Sequence, residues 1–139
     1  MFVDASAIVA ILNREPGYEH LAKRIETHKG TIYVSPVVRF EASTSIARSR
    51  VGAHKTPSPE QIEVAITHVG ALLDAYKAKD ITITPTIGQR ALQAAQKYGR
   101  HVGHPARLNL GDCFAYACAT AYNCELIYVG NDFSHTDLR

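Results

Sequence analysis

The sequence is short of most features that would take it out of the ordinary globular class. No apolar run approaches the ~20 residues needed to span a bilayer, so no membrane partner is expected. The apolar start lacks a basic n-region and is interrupted by Asp4, so no secretory signal is expected either. Cysteine is scarce: the three are Cys113, Cys118 and Cys124, an odd number, and neither spacing forms the short CxxC pair of a zinc site. Cys113 and Cys118 fall in an alanine-rich helical stretch where buried free thiols are expected, and a reducing cytoplasm is the compartment that fits. Nor is charge of one sign in large excess. Fifteen Lys and Arg against thirteen Asp and Glu leave +2, which permits a nucleic-acid partner without arguing for one.

What is present is ordinary in bulk. The 139 residues, 46% hydrophobic and 20% charged, suffice for one core and one domain, expected to span residues 1–139. Short β-rich runs at 2–3, 31–35 (TIYVS), 81–84 (ITIT) and 126–129 (LIYV) alternate with helical patterns. That alternation predicts an α/β fold with a mainly parallel sheet. Helices are expected at 6–13, 18–28, 36–50, from 60 to about 79, from 85 to near 99, and at 112–122. Pro36 directly after Ser35 suits a helix start, and Ser58 with Gln61 makes a capping box. Residues 51–59 and 100–110 read as loops.

Most of the acids lie among polar neighbours, and four do not. Asp4 closes the first strand inside MFVDASAIVAIL, and Glu41 lies on the helix after TIYVS in VVRFEASTSIA. Asp112 opens the alanine-rich helix, and Asp132 follows LIYVG. Each has a plain structural reading: Asp4 as a helix cap, Asp112 as a partner of its helix dipole, Asp132 as a turn residue, Glu41 as a partner of Arg39 or Arg48. In an open parallel sheet, however, strand ends and the starts of the following helices share one edge, where ligands bind. Four carboxylates there would raise one another's pKa values unless cations were present. Hard oxygen donors in that number suit Mg²⁺, with Mn²⁺ as the other possibility. No His or Cys stands beside them at ligand spacing, which speaks against zinc. Such a cluster is suited to phosphodiester cleavage.

Val3-Asp4-Ala5-Ser6-Ala7, Glu41, Gly111-Asp112-Cys113-Phe114-Ala115-Tyr116-Ala117 and Gly130-Asn131-Asp132-Phe133 occur in an order that resembles a PIN domain. The resemblance is to the VapC-type toxins of toxin–antitoxin pairs. It implies a three-layer α/β/α sandwich and a Mg²⁺-dependent endoribonuclease. It further implies an RNA substrate, a VapB-like antitoxin and a homodimer. By position, Asp4, Glu41 and Asp112 carry over as catalytic and metal-holding acids and Asp132 as a more variable fourth, with Asp137 its rival. Ser6 matches a small hydroxylic residue that orients the first acid or a water, or acts as an N-cap.

Lys97, Arg100, His101, His104 and Arg107 crowd the approach to Asp112, and Arg39, Arg48, Arg50, His54 and Lys55 gather around the Glu41 helix. Arg100 and Arg107, with Ser6, are the candidate substrate contacts, with RNA phosphates as their target. Solvated surface and antitoxin contact are the competing readings. A non-catalytic PIN-like nucleic-acid or protein interaction domain is the alternative function. A haloacid-dehalogenase-like phosphatase is disfavoured, because Ser6 stands where its second Asp belongs.

Overall fold

Side-chain caps set where the helices begin. Asp4, Ser35, Ser58, Thr84 and Asn109 each accept a backbone N–H from the first turn that follows, and proline occupies the next position at 36, 59 and 85. The computed structural model describes residues 1–52 and 54–138; Ala53, inside the expected 51–59 loop, and Arg139 lie outside the described residues. The elements run β1 (Phe2–Val3), α1 (Ala5–Asn13), α2 (Tyr18–Glu26), β2 (Tyr33–Val34), α3 (Pro36–Val51), α4 (Pro59–Ala75), β3 (Lys79–Asp80), α5 (Pro85–Tyr98), α6 (Leu110–Ala121) and β4 (Leu126–Ile127). Short 3-10 turns lie at Arg100–Val102 and Asp132–His135.

The strands form one sheet in the order β3-β2-β1-β4, and every pairing is parallel. Phe2 stands opposite both Tyr33 and Leu126. The chain steps outward from β1 to β2 to β3, then returns to the far side of β1. Right-handed crossovers therefore place α1–α4 on one face and α5–α6 on the other. The packing agrees: α3 lies on α1 and α4, α1 on α2, and α5 on α6. This is the expected α/β/α sandwich. Phe2, Val3, Val34 and Ile127 are fully buried between the layers, each such side chain contributing about 1.5–3 kcal/mol. No helix among the described residues is long and apolar enough to cross a membrane.

Several boundaries differ from expectation: β2 and β4 are trimmed to Tyr33–Val34 and Leu126–Ile127, α2 ends at Glu26, and three further differences have a local cause. The third strand is Lys79–Asp80 rather than 81–84. Its register is set by Tyr33 and Val34, and the ladder ends where the Ile81 N–H reaches Val34 O at 2.7 Å, because the chain then turns into α3 at Ser35. α4 stops at Ala75 rather than near 79: Lys77 adopts a left-handed φ of 51°, and the N–H groups of Lys77 and Ala78 close back onto Asp74 and Leu73. α6 begins at Leu110, two residues before Asp112, for a reason that belongs to the site.

Candidate active site at the carboxyl ends of β1 and β4

β1 and β4 are neighbours in the sheet, and the helices adjoining them, α1 after β1 and α6 before β4, belong to opposite faces, so the carboxyl ends of the two strands are where a ligand crevice is expected. Asp4 ends β1 in that crevice and is 4% exposed. Its Oδ2 accepts the Ser6 N–H at 2.9 Å and the Ser6 hydroxyl at 2.6 Å. The Ser6 hydroxyl in turn accepts the Val129 N–H at 3.0 Å, so one serine joins the ends of both strands. Asp4 thus caps α1 and lines the crevice at once. Burial pushes its carboxyl above the ordinary range, the hydrogen bonds from Ser6 oppose this, and the charge of Asp132 adds to the rise.

Glu41 lies on the second turn of α3, half-buried. Burial, then the charges of Asp4 and Asp112, push its carboxyl up to about 7. Asp112 is the third residue of α6 and closes a capping box. Its Oδ2 accepts the Asn109 N–H at 2.8 Å, and its N–H donates to Asn109 Oδ1 at 3.1 Å. That box moves the helix start back to Leu110 and fixes the Asp112 side chain. Burial pushes the Asp112 carboxyl up to about 6, against the Asn109 hydrogen bond; Asp4 and Asp132 raise it further and Arg100 draws it down.

Asp132 opens the last 3-10 turn, exposed, just after Gly130, whose φ of 108° a side chain rarely adopts. Asp4, Glu41 and Asp112 therefore share one space, and the charge of Asp132 reaches Asp4 and Asp112 from its rim. Asp137 is engaged elsewhere, accepting the Tyr116 hydroxyl at 2.6 Å and the Lys97 ammonium at 2.9 Å. These bonds hold its carboxyl well below the usual range. Arg100 and Arg107 are exposed on the segment before α6. The second basic group is partly spent within the fold: Arg39 makes a two-pronged pair with Asp80 at 2.7 and 2.9 Å, and Arg50 meets His68 at 2.7 Å.

Among the described residues, no three His, Cys, Asp or Glu side chains stand close enough to enclose a metal ion as they lie. The donor set still fits a hard cation in chemistry. It is all carboxylate oxygen, partly desolvated, and its members raise one another's pKa values in the way a divalent ion would reverse.

Reading the sequence missed Asn109, although its three-residue spacing from Asp112 is a visible capping signal. Gly111 stood in the PIN-like stretch without a role of its own; it lies against Glu41, a contact for which no local signal exists. Phe40 and Leu110, next in sequence to Glu41 and Gly111, are 70% and 73% exposed.

The profile of the PIN domain matches residues 1–138. The chain belongs to the PIN-domain family. This PIN domain is 50% identical over 139 residues to VapC ribonuclease R02377 of Rhizobium meliloti (strain 1021), covering 99% of this chain and 98% of that one. It is 37% identical over 139 residues to Ribonuclease VapC42 of Mycobacterium tuberculosis (strain ATCC 25618 / H37Rv), covering 100% of this chain and 97% of that one. Among solved structures, the Mycobacterium tuberculosis VapC20 toxin, described as sarcin–ricin loop cleaving, superposes with a TM-score of 0.71 at 16% identity. That match covers 99% of this chain and 95% of the other, and at this identity the likeness concerns the fold.

Proposed function

We propose that this PIN domain is an endoribonuclease of the VapC kind, hydrolysing RNA phosphodiester bonds as the toxin of a type II toxin–antitoxin pair. The observation that carries the reading is the convergence of Asp4, Glu41 and Asp112, with Asp132 at the rim, in one partly dry crevice. The end-to-end likeness to relatives named VapC ribonucleases supports it.

Carboxylates crowded away from water suppress one another's ionisation, and Mg²⁺ or Mn²⁺ relieves that. Asp4, Glu41, Asp112 and Asp132 are the residues that would hold the ion, which supplies Lewis-acid polarisation of a phosphodiester and acidifies an attacking water. The rest is done by the chain. Ser6 fixes Asp4, and the Asn109 box fixes Asp112, so two acids are oriented before substrate arrives. Arg100 and Arg107 line the approach and bind phosphate oxygens. No histidine is needed as a general base. A VapB-like antitoxin neutralises the toxin, which acts as a homodimer in the cytoplasm.

Expression of wild type and Asp112→Asn, each with and without the antitoxin gene, followed by mapping of new RNA ends, tests this reading. New ends should appear with wild type alone and vanish with the variant or the antitoxin. Equal RNA ends from both proteins would overturn the metal-site assignment. Absence of cleavage and of divalent-ion binding in purified wild type would favour the non-catalytic interaction domain.

A further inference from the structure

Glu41 lies against the first turn of α6 at the one residue there that has no side chain. A methyl group built on Gly111 would fall inside contact distance of all three atoms of the Glu41 carboxyl group. Gly111 is buried and sits inside regular helix, and its φ is not positive. Backbone conformation therefore does not call for glycine at this position. Helix propensity opposes it, since alanine would favour the helix more. The neighbour that accounts for the missing side chain is Glu41.

We propose that Gly111 is a positioning residue for the acid site: its bare Cα opens the slot through which Glu41 presents its carboxylate to the space shared with Asp4 and Asp112. A side chain at 111 collides with the far end of a flexible glutamate rather than with backbone. The conflict is relieved by rotating Glu41 away, with α3 and α6 left in place. Asp112 is unaffected, because its orientation comes from Asn109. The fold survives and the site loses one acid. A cramped helix junction would behave oppositely, yielding an unstable protein with its acids still in place. The proposal rests on the reading of Glu41 as a metal-holding acid.

The test compares full-length wild type, Gly111→Ala, Glu41→Ala and the double variant by Mn²⁺ calorimetry and thermal unfolding. Gly111→Ala should unfold at or above the wild-type temperature. Its Mn²⁺ dissociation constant should rise about 10–100-fold, the range for residues that orient metal ligands. Glu41→Ala should show a similar rise, and the double variant no further loss, because the glycine acts only through Glu41. If Glu41→Ala weakens Mn²⁺ binding while Gly111→Ala binds as wild type, the positioning proposal fails and the reading of Glu41 stands. Losses that add in the double variant, or a Gly111→Ala protein that unfolds below wild type, also overturn it. If Glu41→Ala itself binds Mn²⁺ like wild type, the reading of Glu41 fails and takes the proposal with it.

Discussion

Ser6 donates its hydroxyl to Asp4 Oδ2 at 2.6 Å and its backbone N–H to the same oxygen at 2.9 Å. With the hydroxyl also accepting from Val129 at 3.0 Å, a buried acid is held at the junction of the central strand β1 and the edge strand β4. Ser6→Ala removes one donor from Asp4 and the acceptor of the Val129 N–H. A hydrogen bond to a charged group contributes roughly 1.5–3 kcal/mol, so a urea-unfolding loss of about that size is expected, together with slower RNA cleavage. Ser6→Thr should recover most of both. An alanine variant as stable and as active as wild type would show that the bond does nothing for the site.

Glu41 and Asp112 make stability depend on pH in an uncommon direction. Their carboxyls rise from ordinary values of 4.5 and 3.8 to about 7 and about 6. The folded chain therefore keeps these protons to higher pH than the unfolded chain does. The cost of ionising them in the fold is absent below their unfolded values. It grows as pH rises and is complete above about 7. Asp137 is shifted the other way and weakens the fold only as pH falls below its ordinary 3.8, outside that window. In chelator, the urea midpoint should fall between pH 4.5 and about 7, and Glu41→Gln should flatten the fall. Mg²⁺ should restore stability at the upper end and leave the lower end unchanged. A midpoint rising across that range would contradict the burial of these acids.

The order and placement of the acids were legible because each of Asp4, Glu41 and Asp112 interrupts an apolar or small-residue run beside a strand or helix start. The caps at Ser35 and Ser58 were legible from the residues just after them, Pro36 and Gln61. The third strand was not. ITIT has the stronger β character, yet Lys79–Asp80 pairs, because β2 is only Tyr33–Val34 and a strand extends no further than its partner. Nor was the pairing of Arg39 with Asp80, 41 residues apart, or the contact of Gly111 with Glu41. Those relations exist only once α3, β3 and α6 are stacked.

Arg100 draws down the pKa of Asp112, which places its positive charge close enough to the crevice to matter. In an Asp112→Asn background that binds RNA without cutting it, Arg100→Gln and Arg107→Gln should each weaken binding for all sequences alike. Each should also reduce the slope of log affinity against log salt by about 1, as expected for a lost phosphate contact. Binding measured across a KCl series checks this. A change in sequence preference with an unchanged slope would mean that these arginines read bases instead.

Asp132 and Asp137 are five residues apart and their environments divide them. Asp132 adds to the rise of Asp4 and Asp112, whereas Asp137 is held by Tyr116 and Lys97 against α5 and α6. Asp132→Asn should therefore weaken Mn²⁺ binding and slow RNA cleavage, by less than Asp112→Asn, because Asp132 is exposed. It should leave thermal stability near wild type. Asp137→Asn should do the reverse: cleavage and Mn²⁺ affinity stay, while the unfolding temperature falls slightly as the segment after Phe133 loosens. Tyr116→Phe should reproduce that small fall, since it removes the same 2.6 Å bond from the other side. Loss of cleavage in Asp137→Asn with full activity in Asp132→Asn would exchange the two assignments and require the last turn to rearrange when RNA or metal binds.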